Sequence, residues 1–314
     1  MSKYAPTEPS QQSKCADMLT EHISPRFVDL DSWSTSDMIE AMYDGQLVAC
    51  AAVRPALPAI NAAVDDAVSA LKRGGRLVYV GAGTSGRIAI QDGAELRPTY
   101  DWPSDRIVFV MAGGMQAVLE SVEGAEDDEA KGAEAIADAG VDQHDVVIAV
   151  AASGTTPFTV GALRAAGARG ALCIAVANNR GAPLFELAGH RILIETGTEV
   201  LAGSTRMQAG TAQKIVLNLF STAVMVKLGR VYRGLMISMR ASNAKLLRRA
   251  AIIVSQIVGC DENDAANFVQ RAEGDVKIAV LLGLGWEQSE ATEALLKHEG
   301  NLRSVIDELA HDPT

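Results

Sequence analysis

From about residue 58 onward, apolar runs and turn signals follow one another at a steady spacing. An apolar period near 3.6 over 59–71 predicts a helix that stops at Gly74-Gly75, and the β-branched and aromatic run over 76–80 predicts a strand. The alternation then repeats. A strand over 107–111 precedes Gly113-Gly114 and a helix, and an Ala-rich acidic helix over 127–139 ends at Gly140. Next come a strand over 145–151, a helix over 157–166, a strand over 171–177, a helix over 183–188 and a strand over 191–195. The strands are apolar on both faces, as expected of strands covered by helices on either side. Five such strands, each separated from the next by a helix, predict an α/β fold with a doubly wound parallel five-stranded sheet.

The flanks read differently. Residues 1–57 carry helical patterns broken by Pro6, Pro9, Pro25 and Pro55 and form an N-terminal helical segment. The sheet domain extends over 58–256 and includes one long helix over 205–228, with Gly229 as its stop. From Asp261, capping residues and short amphipathic runs predict helices through 272, over 275–282, over 289–298 and a last one to 309. Together they make a small helical module over 257–314 that suits packing or docking better than catalysis.

Two strand ends carry the chemistry. Val78-Tyr79-Val80 runs into Gly81-Ala82-Gly83-Thr84-Ser85-Gly86-Arg87 and then into a helical pattern. Glycines let backbone approach a ligand, a helix start offers N–H groups to an anion, and the Thr84 and Ser85 hydroxyls add donors. Gly81, Gly83 and Gly86 fit a dinucleotide spacing, but the next strand closes on Met111-Ala112-Gly113 with no acid for a ribose, and no Lys follows the last glycine as a P-loop needs. A phosphate on a small molecule fits better. The strand over 145–151 ends in Ala152-Ser153-Gly154-Thr155-Thr156-Pro157, with Pro157 placed as a first helical residue. Its hydroxyls suit either helix capping or the same phosphate.

Composition narrows the partners. A net charge of −11 argues against nucleic acid, while a local pocket can still take an anionic small molecule. Cys15, Cys50, Cys173 and Cys260 lie far apart, and His22, His144, His190, His298 and His311 show no ligand spacing, so neither a disulfide framework nor a metal site is expected. The first residues lack the apolar core of a signal peptide, and no uninterrupted apolar run of about 18 residues occurs, so no membrane span is expected and a cytoplasmic protein is.

The two loops resemble the sugar isomerase (SIS) phosphosugar-binding fold. Pro6-Thr7-Glu8, Val122-Glu123-Gly124-Ala125-Glu126-Asp127, the block from Glu199 to Lys214, Val226-Lys227-Leu228-Gly229 and Ala241-Ser242-Asn243-Ala244-Lys245-Leu246 narrow the resemblance. They are similar to the N-acetylmuramic acid 6-phosphate etherases, relatives of the glucokinase regulatory protein. The closing helices resemble the ubiquitin-associated-like three-helix domain of that family.

The resemblance implies a lyase without cofactor or metal, working as a homodimer in amino sugar and cell-wall recycling. Such an enzyme releases D-lactate and N-acetylglucosamine 6-phosphate by elimination and water addition. Carried over residue by residue, it implies Glu95 and Glu126 as acid/base groups. Gly83, Thr84, Ser85, Gly86, Ser153, Gly154 and Thr156 would hold the phosphate, with Lys214 as a further cation. Two departures stand out: Leu96-Arg97 follows Glu95 where the family has Cys-Pro, and Thr155 stands where it usually has Arg. A phosphosugar-binding regulator without catalysis, or a sugar phosphate isomerase of the same fold, remains the alternative reading.

Overall fold

A computed structural model describes residues 18–239 and 243–311. The Pro6-Thr7-Glu8 motif, Cys15, and Ala241 and Ser242 of the later motif lie outside these residues. The chain divides into two compact units, one of 1–93 with 105–220 and one of 94–104 with 221–314.

The first unit is built on a five-stranded parallel sheet, β1 (Leu77–Gly81), β2 (Ile107–Met111), β3 (Val146–Val150), β4 (Leu172–Ala177) and β5 (His190–Leu193). The strand order is β2-β1-β3-β4-β5, and Gly81 is in register with Met111 on one side and Val150 on the other. Alternation within the apolar strands decides which helices each face receives. Val78, Val80, Val147, Ala149, Cys173 and Ala175 join one core with Ile136, Phe158, Leu163 and Ala166. Those partners come from α5 (Glu129–Asp138) and α6 (Pro157–Ala168), and the fit is close: a Cβ on Gly132 would fall 2.0 Å from the carbonyl oxygen of Phe158.

The opposite face, which carries Tyr79 and Phe109, receives α3 (Gly83–Ala94). α2 (Leu57–Lys72) packs against β3, β4 and β5 through a buried stripe that includes Ile60, Val64, Ala67 and Leu71. Before it comes α1 (Thr35–Ala52), capped by Ser34, which accepts from the Asp37 N–H at 3.2 Å. By length and composition the stretch 35–72 is apolar enough to cross a membrane, with a mean hydropathy of 1.6. It is instead two helices parted by a turn at Arg54–Ala56, where Pro55 and Pro58 interrupt helical bonding. The helices expected over 183–188 and after Gly114 are 3₁₀ turns, Pro183–Leu187 and Met115–Val118, since both segments are too short for an α-helical nucleus.

The second unit holds α4 (Leu96–Tyr100), a hairpin of β6 (Val231–Tyr232) and β7 (Leu235–Met236), and α8 (Ala244–Val258) to α12 (Leu302–His311). Between α8 and α12 lie α9 (Glu262–Arg271), α10 (Val276–Gly283) and α11 (Gln288–Lys297), close to the expected closing helices. Asp261 and Asp275 cap α9 and α10 by accepting backbone N–H bonds. Arg230 stacks 5.3 Å from the Trp102 ring and donates to the carbonyls of Tyr100 and Asp101, so α4 and the hairpin share one packing unit. α7 (Gln208–Lys227) belongs to both units along its length. Cys50, Cys173 and Cys260 form no disulfide, and burial raises the Cys173 thiol to about 11.

One ion pair ties the amino ends of the central strands. Asp145, 2% exposed, accepts from the Arg76 backbone N–H at 2.9 Å and from its guanidinium at 2.6 and 3.1 Å. Burial pushes the carboxyl up, but the Arg76 bonds outweigh it and hold it below its ordinary range. A depressed carboxyl stabilises the fold above its unfolded pKa and loses that effect as pH falls through its folded value. Asp145→Asn is expected to destabilise the protein at pH 7 by up to about 3 kcal/mol. The gap from wild type should close below about pH 4, as read by urea unfolding at both pH values.

Candidate active site

The strand order sets the place. β1 and β3 are neighbours, yet the chain leaves β1 over one face through α3 and leaves β3 over the other through α6. Diverging connections open a crevice at the carboxyl ends of those two strands, where open α/β sheets take ligands. Both hydroxyl-bearing loops leave from this edge.

The first loop is shaped by steric contact. A Cβ on Gly86 would fall 2.3 Å from the Met111 sulfur and 2.9 Å from the Gly81 carbonyl atoms, and a Cβ on Gly81 would fall 2.8 Å from Gly86 backbone. Two bare backbones therefore meet, and α3 starts directly on the end of β1. Gly83 opens the helix at φ +51°, which favours glycine. The first turn of α3 holds amides that no helix satisfies for itself, and it carries Thr84 and the buried Ser85. Hydroxyls, amides and a helix start are thus gathered at one place, a combination whose chemistry suits an anion.

The second loop keeps its hydroxyls available. Gly154 turns at φ +68° against Ala182, whose Cβ would lie 2.3 Å from one on the glycine. Ser153 Oγ accepts the Thr155 N–H at 3.1 Å, so its own hydrogen can be donated elsewhere. Thr156 is the N-cap of α6, yet its side chain makes no capping bond. Of the two readings of this loop, capping by Thr156 is not the one the geometry adopts.

Glu126 faces the first loop. Its Oε2 lies 4.0 Å from where a Cβ on Gly83 would stand, and it lines a cavity of about 250 Å³ with Gly83, Arg87, Ser121 and Glu123. Every lining residue belongs to the first unit. Glu95 is exposed in helical backbone between α3 and α4, at the N-cap position of α4 without a capping bond. Lys214 is placed elsewhere. Its Nζ lies 3.9 Å from Oδ1 of buried Asp92, whose Oδ2 accepts the Tyr79 hydroxyl at 3.1 Å. Nine residues of α3, about 14 Å of helix, separate Asp92 from Gly83, so Lys214 stands at the far end of α3 from the glycine loop. Tyr79 is raised well above its usual pKa by burial and by Asp92.

The block from Glu199 to Lys214 has a task that its pattern did not disclose. Glu199, fully buried, accepts the N–H groups of Gln208 and Ala209 at 2.9 Å each and so occupies the N-terminus of α7 from within. Burial raises its pKa against those bonds. Gln213 donates to Asn178 and Asn178 to the Ile194 carbonyl, which locks α7 to the ends of β4 and β5. Asn179 bonds both Thr20 and the Ala152 carbonyl, stapling the chain near residue 20 beside the second loop. Among the described residues no cluster of three or more His, Cys, Asp or Glu could hold a metal.

Family comparisons agree with this geometry. Residues 59–167 match the glucokinase regulatory protein N-terminal SIS domain and residues 126–223 match the SIS domain. The chain is 48% identical over 290 residues to the N-acetylmuramic acid 6-phosphate etherase of Deinococcus radiodurans, covering 92% of this chain and 95% of that one. It is 40% identical over 304 residues to the enzyme of that name from Rhizobium rhizogenes, covering 96% and 98%. The chain belongs to the N-acetylmuramic acid 6-phosphate etherase family. A phosphoheptose isomerase from Francisella tularensis is similar in structure over 62% of this chain and 100% of its own, at 18% identity and a TM-score of 0.47.

In this etherase-family chain the Gly81–Gly86 contact admits no side chain. Gly86→Ala is expected to cost about 1–3 kcal/mol and to abolish phosphosugar binding by lifting α3 off β1. Thermal unfolding and calorimetry with N-acetylglucosamine 6-phosphate measure the two effects.

Proposed function

We propose that this chain cleaves the D-lactyl ether of N-acetylmuramic acid 6-phosphate, giving N-acetylglucosamine 6-phosphate and D-lactate. Near full-length similarity to the etherases supports the reaction. The observation that carries the assignment to this site is the Glu126 carboxylate set over a hydroxyl- and amide-rich anion loop. Thr84, Ser85, Ser153 and Thr156 hold the phosphate with the backbone of Gly83, while Gly86 and Gly154, whose N–H groups donate to the Ala82 and Ala151 carbonyls, let the chain approach it.

In the ring-opened sugar the C1 aldehyde acidifies the C2 proton. Glu95 is the principal acid/base and Glu126 assists, the pair between them taking that proton and supplying the one the leaving oxygen needs. The C2–H electrons form the C2–C3 double bond and the C3–O pair leaves with the lactate oxygen, which receives a proton. Water then adds at C3 and a proton returns to C2. No step needs an oxidant or a metal.

The working form is a homodimer in the cytoplasm. Ile39, Tyr43 and Leu47 recur every fourth residue along α1 and are 61%, 61% and 53% exposed, an apolar stripe that suits a second copy. Three unpaired cysteines fit a reducing compartment.

Incubation with N-acetylmuramic acid 6-phosphate and an enzymatic assay for D-lactate tests the reaction; absence of lactate removes it. Glu95→Gln is expected to lower kcat by about 10²–10⁴-fold with product affinity nearly unchanged, and Glu126→Gln to lower it less. In ¹⁸O-water the label belongs on C3 of the sugar, and label in lactate would show that the other ether bond breaks.

A further inference from the structure

We propose that Arg87 is a positioning residue that holds Glu126 over the glycine loop by bracing the segment from Ala117 to Gly124. The inference rests on the catalytic reading of Glu126 given above. Arg87 ends the glycine motif, and no role in binding phosphate has been given to it. Its Nε donates to the carbonyls of Ala117 and Val118 at 3.1 Å each, and its Nη2 donates to Ala117 at 2.9 Å and to Ser121 Oγ at 3.5 Å. One edge of a planar guanidinium thus spans the carbonyls that end the 3₁₀ turn Met115–Val118.

The segment has little else from the sheet to hold it. Its backbone bonds at Leu119, Glu120, Ala125 and Asp127 reach back only three or four residues. Leu119 is 88% exposed and Val122 44%. Gly124 turns at φ +69° just before Glu126, and Gly113 and Gly114 turn at φ +79° and +72° where the segment leaves β2. Arg87 rises from α3, whose first residue is Gly83, the residue Glu126 faces. The guanidinium therefore ties the segment that delivers Glu126 to the helix that builds the anion site. A lysine at this position would offer a point charge without the fixed fork that meets Ala117, Val118 and Ser121 together.

Arg87→Gln and Glu126→Gln, alone and combined, separate this role from a merely structural one. Arg87→Gln is expected to lower kcat by up to about 10²-fold and to change KM by less than about threefold. If Arg87 acts through Glu126, adding Arg87→Gln to Glu126→Gln lowers kcat no further. A second full loss in the double variant overturns the proposal, as does unchanged kcat in Arg87→Gln. Full activity in Glu126→Gln overturns the catalytic reading on which the inference rests, and the inference with it. Should Arg87→Gln not fold, Arg87→Lys is expected to show a smaller kcat loss with faster amide hydrogen exchange confined to 115–124. Unchanged exchange there with unchanged kcat would likewise overturn the proposal.

Discussion

The start of α3 rests on the end of β1 because neither Gly81 nor Gly86 carries a side chain, and the rest of the site is referred to that contact. A methyl group at either position would meet backbone atoms, which cannot swing aside as a side-chain end can. The contact fixes where the first-turn amides of α3 stand and which way Thr84 and Ser85 point along the crevice. It also sets the base of Arg87, one turn on, and the position of Gly83 beneath Glu126. An anion site made of backbone needs this kind of rigidity, because its donors are weak singly and act together only when preorganised.

The sheet turns that local contact into a binding edge. With β1 and β3 adjacent and their connections on opposite faces, two loops open toward one crevice without either helix covering it. The negative net charge is no obstacle, since the local field of a helix start and several hydroxyls is felt over a few ångström while distant surface charge is screened. At the other end of the strands the Arg76–Asp145 pair keeps β1 and β3 in register, so that the two loops emerge level. Glu199 fills the N-terminus of α7 with a carboxylate from the chain itself, so that helix start is already satisfied.

Much of this was legible in the sequence, and the rest was not for physical reasons. Apolar runs between Gly and Pro signals placed all five strands within a residue or two, because strands buried on both faces leave few polar positions to confuse the pattern. The close backbone approach at the glycine loop was legible because only glycine tolerates it. The pattern gave Gly114 and Pro183 helices that are 3₁₀ turns, since helical period cannot be told over four or five residues. The tasks of Arg87, Glu199 and Asn178 are long-range contacts with no local signature. Each bonds a carbonyl or amide nine or more residues away, beyond the reach of any helical or strand period. The Lys214 neighbour shows the same limit: buried Asp92, 3.9 Å from its Nζ, comes from another helix.

On the proposed assignment, phosphate binding and acid–base chemistry fall on different kinds of backbone in this chain. Each hydroxyl-bearing loop runs from a strand of one sheet directly into a helix, and a Cβ at Gly81, Gly86 or Gly154 would fall within 3 Å of a neighbouring atom. The two carboxylates are not on the sheet. Glu126 follows a segment of short-range bonds, and Glu95 stands where the chain passes from the first compact unit into the second. The division suits an elimination from an opened sugar. A rigid anchor at the phosphate fixes one end of a flexible chain, and the groups that move protons at C2 and C3 must meet it in more than one geometry, first for elimination and then for water addition. Donors frozen to the sheet would serve only one of those geometries, whereas carboxylates on separately braced segments can serve both while the phosphate stays in place.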